Sequence, residues 1–96
     1  MISYVNNKGR RVSLEVKRHA VFAFRDRFEN LFGTKISCTQ AEHHIEARFP
    51  ATQRVRNINH KEKGRIKRHG HSLYFRDGDF TYVVTNGGLM TVEISR

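Results

Sequence analysis

His19 is the side chain best placed in this sequence for proton-transfer chemistry. It falls in the first turn of a predicted helix, outside the apolar stripe of that helix. Arg27 lies two turns later and borders the strip of helix surface on which His19 lies. An imidazole, with an unperturbed pKa of about 6.5, can accept or donate a proton near neutral pH. Together with cations that stabilise charge on phosphate, this is the chemistry of RNA cleavage by the 2′-hydroxyl. The sequence therefore predicts His19 as a general base and Arg27 as a phosphate ligand.

Residues 54–71 concentrate the positive charge of the chain. Lys and Arg number 18 against 9 Asp and Glu in the 96 residues, a formal net charge of +9. Seven of those cations lie in 54–71 with a single acid, and every second residue from Lys61 to His71 is Lys, Arg or His. In an extended stretch this spacing aligns the side chains on one side, as binding to a phosphate backbone requires. The residues predicted to bind nucleic acid are Arg54, Arg56, Lys61, Lys63, Arg65 and Arg68.

The same region supplies candidates for the second proton-transfer group. His69 or Tyr74 is predicted to be the general acid that protonates the leaving 5′-oxygen, and Lys67 is predicted to stabilise the phosphate with Arg27. No C-x-x-C or H-x-x-x-H pair supports a metal site, so we expect neither metal nor cofactor. The single cysteine, Cys38, excludes an internal disulfide and fits a reducing cytoplasm.

Two helices are expected to position these residues. An apolar stripe at helical spacing predicts a helix over about 17–32, which Gly33 is suited to end. A second helix is predicted over about 38–49, where Pro50 stops it. Its two possible capping boxes are Ser37 with Gln40 and Thr39 with Glu42.

The second half of the chain reads as a β-meander over about 54–94. Asp77-Gly78 and Asn86-Gly87 are hairpin turn signals between apolar runs. A two-residue Asn86-Gly87 loop would set the apolar side chains of its two strands on opposite faces. A three-residue loop that includes Gly88 pairs Val84 with Met90 and sets them on one face, so we predict the three-residue loop. The opposite, open face then carries Arg68, Ser72, Tyr74, Arg76, Thr81, Val83, Thr91 and Glu93.

Helices followed by strands predict an α+β fold. We expect a single domain over 1–96, with two N-terminal helices packed on one face of a three- to four-stranded antiparallel sheet. No run of 18 apolar residues occurs, so no membrane partner is expected. These features indicate a cytoplasmic protein.

A family resemblance rests on short motifs spread over about residues 14–94. The His19-Ala20 pair, Arg27, the run Tyr74–Val84 and the terminal Leu89–Val92 resemble small bacterial and phage domains. Those domains are similar to the barnase/colicin/RelE-like superfamily of metal-independent ribonucleases and toxins. The resemblance implies N-terminal helices on a four-stranded antiparallel sheet, with RNA bound on the open face.

The resemblance also implies roles for individual residues. It makes His19 the catalytic histidine, Arg27 a phosphate binder and Thr91 the hydroxyl that positions the scissile phosphate. Ala23 stands where the family carries a second arginine, and Arg25 is the available substitute.

Three functions follow as hypotheses. The first is a toxin-like, metal-independent endoribonuclease that forms a 2′,3′-cyclic phosphate and a 5′-hydroxyl. The second is a non-catalytic nucleic-acid-binding regulatory protein, which would lose affinity steeply with salt. The third is a basic protein that docks onto an acidic protein partner, such as an antitoxin or other inhibitor. RNA is the expected partner in the first hypothesis.

Overall fold

The computed structural model describes residues 2–55 and 72–95, and within them the chain forms two helices and six strands. A short 3₁₀ turn at Phe49–Ala51 follows the second helix. In chain order the elements are β1 (Ile2–Val5), β2 (Arg11–Val16), α1 (Arg18–Phe32), α2 (Cys38–Arg48), β3 (Gln53–Val55), β4 (Leu73–Arg76), β5 (Phe80–Thr85) and β6 (Gly88–Ile94).

The strands form one mixed sheet in the order β1-β2-β6-β5-β4-β3, curled into a half-barrel. The predicted fold of two N-terminal helices on a three- to four-stranded antiparallel sheet is therefore wrong. The hairpin of β1 and β2 joins the sheet ahead of the helices, and β2 lies parallel to β6 through Glu15–Gly88 and Val16–Leu89. Between β2 and β6 the chain passes through both helices and the three strands β3, β4 and β5, a connection long enough for a parallel pair.

α1 follows β6 in the same direction. At its start the Lys17 N–H donates to the Leu89 carbonyl at 3.1 Å, and near its end the Phe32 ring lies 6.3 Å from that of Phe80, whose strand partner is Ile94. Gly33 ends the helix in the left-handed conformation, at φ 72°, with its N–H on the Glu29 carbonyl. One face of α1 is thereby fixed along the whole of β6.

α2 begins at the first of the two predicted capping boxes. The Gln40 N–H donates to the Ser37 hydroxyl at 3.1 Å, and the Ser37 N–H donates to the Gln40 side chain at 2.8 Å. Ala41 and Ile45 are buried against the core. Burial lowers the pKa of His44, with a further contribution from Arg48, so the neutral ring is favoured beside the aromatic core.

The β5–β6 hairpin differs from its predicted form. The loop has two residues, Asn86 and Gly87, both with positive φ (51° and 76°), and not three. With a two-residue loop and regular strands, the apolar side chains of β5 and β6 would lie on opposite faces. A β-bulge prevents this, because Val84 pairs with Leu89 whereas Val83 pairs with Thr91, which leaves Met90 without a partner on β5. Met90 is the extra residue and is 40 % exposed, while Leu89 is fully buried and occupies the core position that was predicted for Met90.

Asp77 holds the turn between β4 and β5. Its carboxylate accepts hydrogen bonds from the Tyr82 hydroxyl at 2.8 Å and from the backbone N–H groups of Asp79 and Phe80, each at 2.9 Å. Arg48 of α2 reaches the same carboxylate at 3.4 Å and that of Asp79 at 3.2 Å. The turn is thereby joined both to the sheet and to α2.

Candidate active site

A cleft of about 460 Å³ lies between α1 and the face of β5 and β6 that is turned away from the aromatic core. It brings together three residues of the predicted site, His19, Arg27 and Thr91. Among the residues that the structure describes, the lining is His19, Arg27, Ser72, Val83, Thr85, Asn86, Met90, Thr91 and Glu93.

The helical wall of the cleft is one strip of α1. His19, Ala23 and Arg27 follow one another at four-residue intervals, so they lie on one side of the helix, and His19 and Arg27 are separated by about 12 Å along its axis. Ala23 is buried and contributes only a methyl group between them. The spacing leaves room for a phosphate group and an adjoining sugar between imidazole and guanidinium.

The sheet wall is built around the bulge. Thr91 lies directly opposite Val83 on the neighbouring strand, and Glu93 is two residues further along β6 on the same face. The bulge brings two consecutive residues, Met90 and Thr91, to the cleft, which a regular strand would not do. The hydroxyl and carboxylate of β6 consequently face the cationic strip of α1.

Among the described residues, the cleft is lined by one guanidinium, that of Arg27, and by two side chains that can transfer protons, His19 and Glu93. His19 is exposed, and half-buried Arg27 makes no ion pair with any other residue in 2–55 or 72–95. Because it pairs with no carboxylate in these two ranges, the guanidinium of Arg27 can bind a phosphate group. Imidazole and carboxylate on opposite walls can divide the two proton transfers of a phosphodiester cleavage.

Glu93 lines the cleft but is not among the catalytic or binding residues that the sequence predicted. Its place on the open face, two residues after Thr91, was predicted, and that placement is the signal that could have identified it. Phosphate binding is typical of cationic side chains, so an acidic residue did not fit the predicted site.

Two other predicted site residues lie away from the cleft. Tyr74, on β4, is only 1 % exposed and does not line the cleft, although it pairs with Val83. Arg54 lies on β3 at the far end of the sheet and donates to the Asn7 side chain at 3.3 Å. The remaining predicted residues lie outside the described ranges: Arg56, Lys61, Lys63, Arg65, Lys67, Arg68 and His69.

Within the described ranges, no three His, Cys, Asp or Glu side chains are grouped closely enough to hold a metal ion. Neither of the two helices there has the length and apolar character needed to cross a membrane.

Comparison with protein-family models, with curated proteins and with solved structures finds no match for this chain.

Proposed function

We propose that the protein is a metal-independent endoribonuclease of the toxin-like type, as the resemblance to the barnase/colicin/RelE-like superfamily implies. The observation that carries the proposal is the convergence of His19, Arg27 and Thr91 on one cleft. Two of these residues come from α1 and one from the last strand, so their meeting is a property of the tertiary structure. A cytoplasmic location fits an RNA substrate and the free thiol of Cys38.

The proposed reaction is an intramolecular displacement at phosphorus. The 2′-oxygen attacks, the bond from phosphorus to the 5′-oxygen breaks, and the products are a 2′,3′-cyclic phosphate and a 5′-hydroxyl. One group must accept the 2′-hydroxyl proton and another must protonate the leaving 5′-oxygen. Arg27 stabilises the charge on the non-bridging oxygens, and the Thr91 hydroxyl donates a hydrogen bond to one of them.

Glu93 changes the assignment of the two proton transfers. The sequence suggested His19 as the base with His69 or Tyr74 as the acid. With the Glu93 carboxylate of the cleft as the proton acceptor, His19 is the group that protonates the leaving oxygen. Among the described residues this pair accounts for both transfers with the side chains that line the cleft.

The proposal is tested by incubating the full chain with several RNAs in EDTA. Cleavage that leaves 2′,3′-cyclic phosphate ends is the expected result, because no step uses a metal ion. RNA that is bound with a steep dependence on salt but never cut would overturn the enzyme assignment and favour a non-catalytic nucleic-acid-binding protein. Tight binding to an acidic protein, without competition from polyanions, would instead favour the docking function.

Replacement of Thr91 by valine should lower the cleavage rate about tenfold. Valine retains the shape of the side chain but loses one hydrogen bond to the phosphate, worth about 1–1.5 kcal/mol. Single-turnover cleavage of one RNA, compared between wild type and Thr91→Val, measures the effect. Thr34→Val, in the exposed connection between the helices, is the matched control and should cleave at the wild-type rate. Equal rates for Thr91→Val and wild type would contradict the role.

A further inference from the structure

The end of the cleft beside the β5–β6 turn also contains side chains whose chemistry differs from that of His19, Arg27 and Glu93. It is formed by the apolar side chains of Val83 and Met90, the amide of Asn86 and the hydroxyls of Ser72 and Thr85. None of these residues is ionisable, and none is needed for the displacement at phosphorus. Their presence in the same cleft indicates that the cleft also binds a part of the ligand other than the reacting phosphate.

Met90 provides an apolar surface that the fold has turned outward. The β-bulge removes its side chain from the core and leaves it 40 % exposed on the wall of the cleft. A flexible, polarisable thioether makes favourable contacts with flat aromatic rings. Val83, buried on the neighbouring strand, extends the same apolar floor. A planar, partly apolar group is the ligand that such a floor suits.

Asn86 adds hydrogen-bonding capacity beside that floor. It is the one non-glycine residue with positive φ among those described, at 51°, in the first position of the two-residue turn. The nearby hydroxyls of Ser72 and Thr85 hydrogen-bond to each other at 2.7 Å. The Asn86 amide offers a donor and an acceptor side by side, which match the N6 amino group and N7 of adenine.

We propose that this end of the cleft is a nucleobase subsite in which Asn86 reads the edge of the base. The inference rests on the proposed function, since it assumes that the cleft holds RNA. The start of α1 is tied to Leu89, the residue before Met90, so the subsite lies next to the end of the helix that carries His19. A nucleotide whose phosphate contacts His19 can therefore seat its base against Met90.

The test measures binding without cleavage. Hexanucleotides of 2′-O-methyl adenosine, cytidine or uridine lack the attacking hydroxyl, so the affinity of the full chain for each reports recognition alone. We expect the adenosine hexamer to bind at least about fivefold more tightly than the others, the lower end of what one paired base edge contributes. Met90→Ala should weaken binding of all three.

Two variants isolate the amide. Asn86→Gly suits the positive φ of the turn and removes the side chain, and it should abolish the base preference. Asn86→Asp tolerates the same backbone conformation but lacks the donor, and it should abolish the adenosine preference as well. Asn30→Ala is the control: it removes an exposed amide on α1, away from the β5–β6 turn, and should retain the base preference.

The outcomes separate the subsite from the enzyme. Equal affinity of the wild type for the three hexamers, or a preference that survives Asn86→Gly, would overturn the subsite even if the protein cleaves RNA. Base-dependent binding that requires Asn86 would support the subsite even if no RNA is cut. Failure of the proposed function and failure of this inference are thus distinguishable.

Discussion

Replacement of His19 by alanine should lower the rate of RNA cleavage by about 100- to 10,000-fold, the range that a general acid or base contributes. His19 is the residue of the α1 strip whose side chain can transfer a proton near neutral pH. In the Ala variant, no imidazole is present to protonate the leaving 5′-oxygen. His19 is exposed, so its loss should not disturb the core. Single-turnover cleavage in EDTA measures the rate, and RNA affinity measured separately should change little.

His43→Ala is the matched control for this prediction. His43 is exposed on α2 and does not line the cleft, so its variant should cleave RNA at the wild-type rate. Glu93→Gln should show a loss comparable to that of His19→Ala. Because the two groups serve one displacement, the double variant should be little slower than either single variant. Undiminished cutting by His19→Ala would remove this residue from the mechanism.

The features that local sequence determines were the predictable ones. The apolar stripe of α1 and its glycine stop depend on helical spacing alone, and α1 spans Arg18–Phe32 where about 17–32 was predicted. The same spacing places His19 and Arg27 on one strip of the helix. α2 spans Cys38–Arg48, close to the predicted 38–49, because its capping box and Pro50 are also local signals.

The features that depend on distant parts of the chain could not be predicted. Val12, Leu14 and Val16 alternate with polar residues, which is typical of an extended segment, but nothing local reveals that β2 pairs with a strand more than 70 residues away. The bulge at Met90 was missed for a related reason. The two-residue and three-residue loops give the predicted faces only if both strands are regular, whereas a bulge allows a two-residue turn and still keeps the apolar side chains on one face.

Replacement of Asp77 by alanine should lower the free energy of unfolding by about 3 kcal/mol. The side chain is only 6 % exposed, and its loss leaves the buried Tyr82 hydroxyl and two backbone N–H groups without their acceptor. When one partner of a buried, charged hydrogen bond is removed, the groups that remain stay buried without a partner. The folded state then loses the free energy of their desolvation without compensation. Urea unfolding of wild type and variant at neutral pH measures the difference.

Asp79→Ala is the matched control, because the Asp79 side chain is 47 % exposed and Arg48, at 3.2 Å, is its one ion-pair partner within the described part of the chain. An exposed ion pair contributes less than about 1 kcal/mol, so this variant should be nearly as stable as wild type. Equal destabilisation by the two variants would show that the loss arises from the turn in general and not from the Asp77 hydrogen bonds.

The pH dependence provides an independent check on Asp77. Burial alone would raise its pKa, but the hydrogen bonds from Phe80, Tyr82 and Asp79 and the charge of Arg48 lower it below the ordinary value of 3.8. The ionised form is therefore favoured in the folded state, and its stabilisation is complete above about pH 4 and disappears as pH falls through the lowered pKa. The stability difference between wild type and Asp77→Asn should accordingly shrink below about pH 4. A difference that stays constant down to pH 2 would mean that the carboxylate charge contributes nothing to holding this turn.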